Sequence, residues 1–180
     1  MDIRRKAFGT LAFAAGLGIL IIALKGLNWL PLVAEKDLMR RYGDFEEMRT
    51  SLGIQGVFVP SYFPEDFRWP PARILAQGKP YPAVIMEFDR SGEGKAGEVG
   101  MMIYQAAKDG FSPGGPLELS RVRERATYFL RGRPAILEVG SDAKGEPCSR
   151  ISWREKEVRI TLLARLTPFE LMRVAESMLK

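Results

Sequence analysis

Histidine is absent from the 180 residues, and cysteine occurs once, as Cys148. The first absence removes the commonest general base, the commonest metal ligand and the side chain that titrates near neutrality. With one thiol, no disulfide can close within the chain and no zinc site of the cysteine and histidine kind can be assembled. Cys148 is then either a half-buried thiol beside a turn or a bridge between two chains. Charge of one sign is also in short supply once its position is considered. Lys and Arg number 27 against 22 Asp and Glu, a net +5, but Arg4, Arg5, Lys6 and Lys25 flank the N-terminal apolar run and only Asp2 opposes them. Residues 35–180 keep 23 basic and 21 acidic groups, so nucleic acid is not the expected partner.

What is present begins with that apolar run. From Ala7 to Leu24 no side chain is charged, which is the lower limit of length for crossing a bilayer core. The stem of Lys25 can reach the headgroups, Trp29 suits the interface, and Pro31 stops the helix. Arg4, Arg5 and Lys6 before the span hold the N-terminus in the cytoplasm. The sequence therefore predicts a basic tail over 1–6, a transmembrane helix over 7–30 and a domain displayed outside the inner membrane. The lipid bilayer is thus the first partner. A cleaved signal peptide is the rival reading, but Leu32, Val33 and Ala34 make a poor cleavage site. Small residues four apart, Ala12 with Gly16 and Ala14 with Gly18, offer a face for self-association.

Residues 31–55 read as a juxtamembrane segment with an amphipathic helix over 35–52, because Leu38, Tyr42, Phe45, Met48 and Leu52 share one stripe and Gly53 follows as a stop. Beyond Gly56 the pattern changes to short strands punctuated by Gly and Pro. Val57 to Val59 reads as strand-like, and a proline and aromatic stretch follows that includes Tyr62, Phe63 and Trp69. Ala83–Asp89 and Glu98–Ala106 flank a glycine-rich turn and predict a hairpin. Gly92, Gly94 and Gly97 have no helix N-terminus behind them, so they do not read as a phosphate loop. After a loop containing Phe111, further strands are expected over 120–130, 134–139, 149–154 and 158–164. Thr167, Pro168 and Glu170 then form a capping box that starts a closing helix. The expectation is an α+β fold: an antiparallel sheet over 56–180 with a packed C-terminal helix.

Arg121, Arg123 and Arg125 would project to one side of a regular strand, either as a docking strip for an anionic lipid headgroup, a cell-envelope polymer or an acidic partner, or as a solvated edge that guards against strand pairing. With Tyr62, Phe63, Trp69 and Phe111 they form the candidate interaction surface. No catalytic, cofactor-binding or metal-binding residue is assigned. A histidine-independent hydrolase finds little support: Glu46 and Glu47 point in different directions on a helix, and Ser61, Ser91, Ser112 and Ser120 have no lysine at helical spacing.

One resemblance rests on these residues. The elements Val59-Pro60-x-Tyr62-x-Pro64-Glu65-x-Phe67, Gly132-x-Pro134-Ala135, Ile151-x-Trp153, and Leu166-Thr167 leading to Ala175-Glu176-Ser177 resemble an uncharacterised bacterial extracytoplasmic domain carried by membrane-anchored proteins, some of them like regulators of anti-sigma factors. Asp66 stands where that family has glycine. The resemblance implies an α+β domain used for binding or sensing, with no established catalytic residues to transfer; the leading expectation is a non-catalytic module that contacts another envelope or membrane protein. An accessory subunit held in a complex through its membrane helix is the alternative.

Overall fold

The computed structural model describes Lys25 and residues 39–54, 56–91 and 97–179. The expected span over 7–30, its flanks Arg4, Arg5, Lys6 and Trp29, and the small-residue face of Ala12, Ala14, Gly16 and Gly18 lie outside the described residues, apart from Lys25, which is helical. Among the described residues no helix is long and apolar enough to cross a membrane.

The unit Arg40–Lys180 is an antiparallel sheet of eight strands with two helices. In chain order these are β1 (Arg40–Tyr42), α1 (Phe45–Leu52), β2 (Arg73–Gln77), β3 (Ala83–Asp89), β4 (Val99–Ala106), β5 (Leu119–Leu130), β6 (Arg133–Asp142), β7 (Pro147–Glu155), β8 (Val158–Ala164) and α2 (Pro168–Ser177). The spatial order is β1-β2-β3-β4-β8-β7-β6-β5. Two meanders thus meet where β4 pairs with β8, and β1 and β5 form the edges.

Side-chain alternation gives the sheet two different faces. On one, Ile151 and Trp153 of β7 stand beside Leu162 and Ile160 of β8, and Ile103 of β4 stands beside Met86 of β3. Leu171, Val174 and Ala175 of α2 pack into this same core and are fully buried. Leu171 and Val174 each contribute about 1.5–3 kcal/mol through removal from water, and the methyl of Ala175 less. The helix starts where the sequence predicts, since the Thr167 hydroxyl accepts from the Glu170 N–H and the Glu170 carboxylate returns to Thr167. The second face carries the polar row described below.

Several expectations need correction. Among the described residues of the helix expected over 35–52, Phe45–Leu52 is helical and Arg40–Tyr42 is instead an edge strand paired with β2; residues 35–38 lie outside the described residues. Asp44 caps the helix by accepting from the Glu47 N–H, which fixes its start within the expected stripe; Gly53 ends it with φ +66°. Val57–Val59 is not a strand. There the Gln105 side chain takes the place of a neighbouring strand, its Oε1 accepting from the Phe58 N–H at 2.9 Å and its amide donating to the Phe58 carbonyl. The strand β2 was not expected at all. It lies between proline-bounded segments, Pro70–Pro71 and Pro80, and buries both Ile74 and Ala76.

Candidate functional site

The second sheet face is organised by register into cross-strand rows. Thr127, Ile136, Ser152, Thr161 and Tyr104 form one row across β5, β6, β7, β8 and β4. On one side of it run Arg125, Glu138 and Arg150. On the other lie the paired Arg154 and Arg159. Rows of the same face lie two residues apart along each strand, so the flanking arginine rows are separated by about 13 Å at a rise of about 3.3 Å per residue.

Over this floor passes the loop between β4 and β5. Phe111 packs edge-on against Tyr104 at 6.3 Å and against Tyr81 at 6.0 Å between ring centroids, and Leu117 is buried. The floor and loop enclose a cleft of about 300 Å³, lined chiefly by Tyr104, Phe111, Arg125, Glu138, Arg150 and Arg159, with Ser112, Ser152 and Thr161 supplying hydroxyls.

The cleft's charges are linked but not balanced. Arg150 donates from Nε to Glu138 Oε2 at 2.7 Å, while Arg125 Nε stands 3.8 Å from the other carboxylate oxygen. Arg154 and Arg159 both engage Asp109 Oδ1 in the covering loop, the latter at 3.1 Å. Four guanidinium groups therefore face two carboxylates. The Arg159 hydrogen bond holds the Asp109 carboxyl below its ordinary value, with Arg154 acting in the same direction. Ser152 Oγ and Thr161 Oγ1 are hydrogen bonded at 3.0 Å. Tyr104 joins this chain through Thr161 and Arg150, and burial pushes its phenol up.

A larger cleft of about 820 Å³ lies elsewhere, lined by Tyr62, Arg90, Cys148, Arg165 and Glu170 among others. Its two cations are engaged internally. Arg90 faces Asp66 at 3.5 Å, and Arg165 faces Asp142, Glu98 and Glu146 at 2.7, 2.7 and 3.1 Å. Cys148 is buried, and that burial pushes its thiol up to about 11. The arrangement is an internal brace. Among the described residues no group of three or more metal-ligating side chains is assembled.

The expected interaction surface is split between the faces. Phe63 packs on Phe88 at 5.4 Å and on Trp69 at 6.2 Å, and Trp69 stacks on Phe45 of α1 at 5.1 Å. Tyr62 lies under the Arg173 guanidinium, 4.4 Å away. These aromatics fix the proline-rich loop to the helix-covered side, whereas Phe111 belongs to the opposite face. Arg121, Arg123 and Arg125 do not share a side. The register shifts at Ser120 and again at Arg123, so Arg121 pairs with Ser141 while Arg125 pairs with Glu138. Ser141 and Glu138 are an odd number of residues apart and point to opposite faces, and the bulge carries that reversal to the arginines. Only Arg125 reaches the polar cleft.

Sequence reasoning missed Glu138, Arg150, Ser152, Arg154, Arg159 and Thr161. Their signal was available: Arg150, Ser152 and Arg154 alternate with Ile151 and Trp153, as Arg159 and Thr161 alternate with Ile160 and Leu162. Such alternation marks a strand with one wet face. No protein family, curated protein or solved structure matches the chain.

Proposed function

We propose that the protein is a membrane-anchored binding module of the bacterial cell envelope, held by residues 7–30 with its N-terminus in the cytoplasm and its folded unit outside, and that the cleft beneath the β4–β5 loop is its recognition surface. The observation that carries the binding role is the excess of arginines around a hydroxyl-lined floor. These guanidinium groups are partly exposed and share two carboxylates, Glu138 and Asp109, so planar donors stay open to a ligand at the cleft. The uncharged run behind Arg4, Arg5 and Lys6 supports the anchor. The resemblance to an extracytoplasmic domain of membrane-anchored proteins points the same way. Tethering confines the module to two dimensions and raises its effective concentration toward other envelope components.

The test has two arms. Carbonate washing of membranes should leave the full chain in the pellet, and a tag after Lys180 should resist protease added from the cytoplasmic side. A pull-down from detergent-solubilised membranes should lose its specific envelope partners when Arg125 and Arg159 are both changed to Glu. Release by carbonate removes the anchor, and unchanged recovery of every partner removes the cleft.

A further inference from the structure

We infer that the polar cleft takes an anionic sugar, a hydroxylated ring carrying a carboxylate or phosphate group. The inference rests on the binding-module reading and names the ligand class of that site. Three features of the cleft coincide in this chemistry and in no simpler one.

The first is charge. Arg125 is largely exposed and stands 3.8 Å from Glu138, a carboxylate already bound by Arg150. Arg159 shares Asp109 with Arg154. Each pair thus holds two guanidinium groups on one carboxylate, leaving planar donors for an incoming oxyanion. The second is the floor between them. Ser152 and Thr161 form a hydroxyl pair, continued by the buried Tyr104 phenol, and Ser112 adds a hydroxyl from the loop. Hydroxyls both donate and accept, as a sugar's own hydroxyls require. The third is Phe111, half-buried at the cleft wall and braced by Tyr81 and Tyr104. Its ring offers an apolar surface of the size of a pyranose face. A bare inorganic anion would use the arginines alone, and a neutral sugar would leave their surplus charge unanswered. The separation of about 13 Å between the arginine rows also lets a ligand lie along the hydroxyl row with its charged group at one margin.

The test uses the full chain in detergent micelles and isothermal titration calorimetry with four probes: glucose 6-phosphate, glucuronate, glucose and inorganic phosphate. The two anionic sugars are expected to bind, with glucose and phosphate each weaker by about tenfold or more, the equivalent of one charge-assisted hydrogen bond. Of Arg125→Gln and Arg159→Gln, the one at the margin that takes the charged group should weaken the anionic sugars by about tenfold. Both variants leave the local carboxylate a partner, Arg150 for Glu138 and Arg154 for Asp109, so the fold is preserved and the melting temperature serves as control. Phe111→Ala should weaken the sugars and leave phosphate unchanged. Phosphate binding as tightly as glucose 6-phosphate, glucose binding as tightly as glucuronate, insensitivity to all three substitutions, or no heat with any probe would each overturn the inference. If the charge-reversed cleft loses its envelope partners in the pull-down while none of the anionic sugars binds, the module stands and only this ligand class falls.

Discussion

Arg165 Nη2 lies 2.7 Å from Asp142 Oδ2, with 4% of one side chain and 3% of the other exposed. Arg165 Nε also donates to that oxygen, and the second carboxylate oxygen accepts from the N–H groups of Lys144 and Glu146 at 2.9 Å. One buried pair therefore pins the β6–β7 turn to the end of β8. Asp142→Ala would strip Arg165 of its most deeply buried partner and the turn of its acceptor. The expected loss is about 3–5 kcal/mol, the usual cost of breaking a buried pair from one side. Glu146→Gln, at the more exposed margin of the same network, should cost under about 1 kcal/mol. Urea unfolding of the two variants, followed by tryptophan fluorescence, separates them.

The same network sets the response to acid. Hydrogen bonds from Lys144 and Arg165 hold Glu98 down to about 2. Burial would raise Asp142, but Arg165 and the two backbone donors outweigh it and the group lies below its ordinary value. Carboxyls lowered in the fold stabilise it fully above their unfolded values, near about 4, and that stability drains as pH falls through the folded values. Glu87 has the opposite sign. Burial raises it against the partial opposition of Arg73, so its contribution is greatest at low pH and is lost as pH rises. The urea midpoint should thus decline from about pH 4.5 toward pH 2. Asp142→Asn should flatten that decline, and Glu87→Gln should leave its slope in place.

Cys148 should be a poor target for alkylation in the folded protein. It is 1% exposed, and burial places its thiol at about 11. Against an ordinary thiol near 8.5, the thiolate fraction at pH 8 falls by about 100-fold or more before access is considered. Iodoacetamide labelling followed by mass spectrometry should show modification only in denaturant. Rapid labelling of the native chain, or a cysteine-linked dimer on a non-reducing gel, would contradict this placement.

Much of the fold was legible because its punctuation is chemical. Val158–Ala164 and Ala83–Asp89 coincide with the expected strands, and the Thr167 and Glu170 capping box starts its helix where expected. What could not be read depends on partners distant in the chain. Val57–Val59 has a strand's residues but finds the Gln105 amide instead of a neighbouring strand. In β5 almost every position from Ser120 to Phe129 is exposed, so neither face leaves an apolar period by which to detect a bulge. The arginines' division between faces follows from that bulge. The cleft was hidden for another reason: its residues come from β4 through β8, and pairing alone makes them neighbours.

The bulged edge supplies a last prediction, at Gly140. This residue of β6 pairs with Val122 between the two register shifts of β5, and a Cβ there would fall within the Arg121 carbonyl group. The obstacle is backbone, so a rotamer change cannot relieve it. Gly140→Ala should force β5 away from β6 and cost about 2 kcal/mol or more, in the range of overpacked sites. Gly132→Ala is the matched control at the other end of the same hairpin. Gly132 has φ +83° with no atom within 4 Å of an added Cβ, so its penalty is confined to the left-handed backbone, about 1–2 kcal/mol. Hydrogen exchange distinguishes the two causes. Gly140→Ala should deprotect the amides between β5 and β6 near Arg121 and Val122, since the strands must separate there, whereas Gly132→Ala should lower global stability with the ladder's pattern of protection intact. Equal and uniform effects would mean that the bulge does not bring the Arg121 backbone against Gly140.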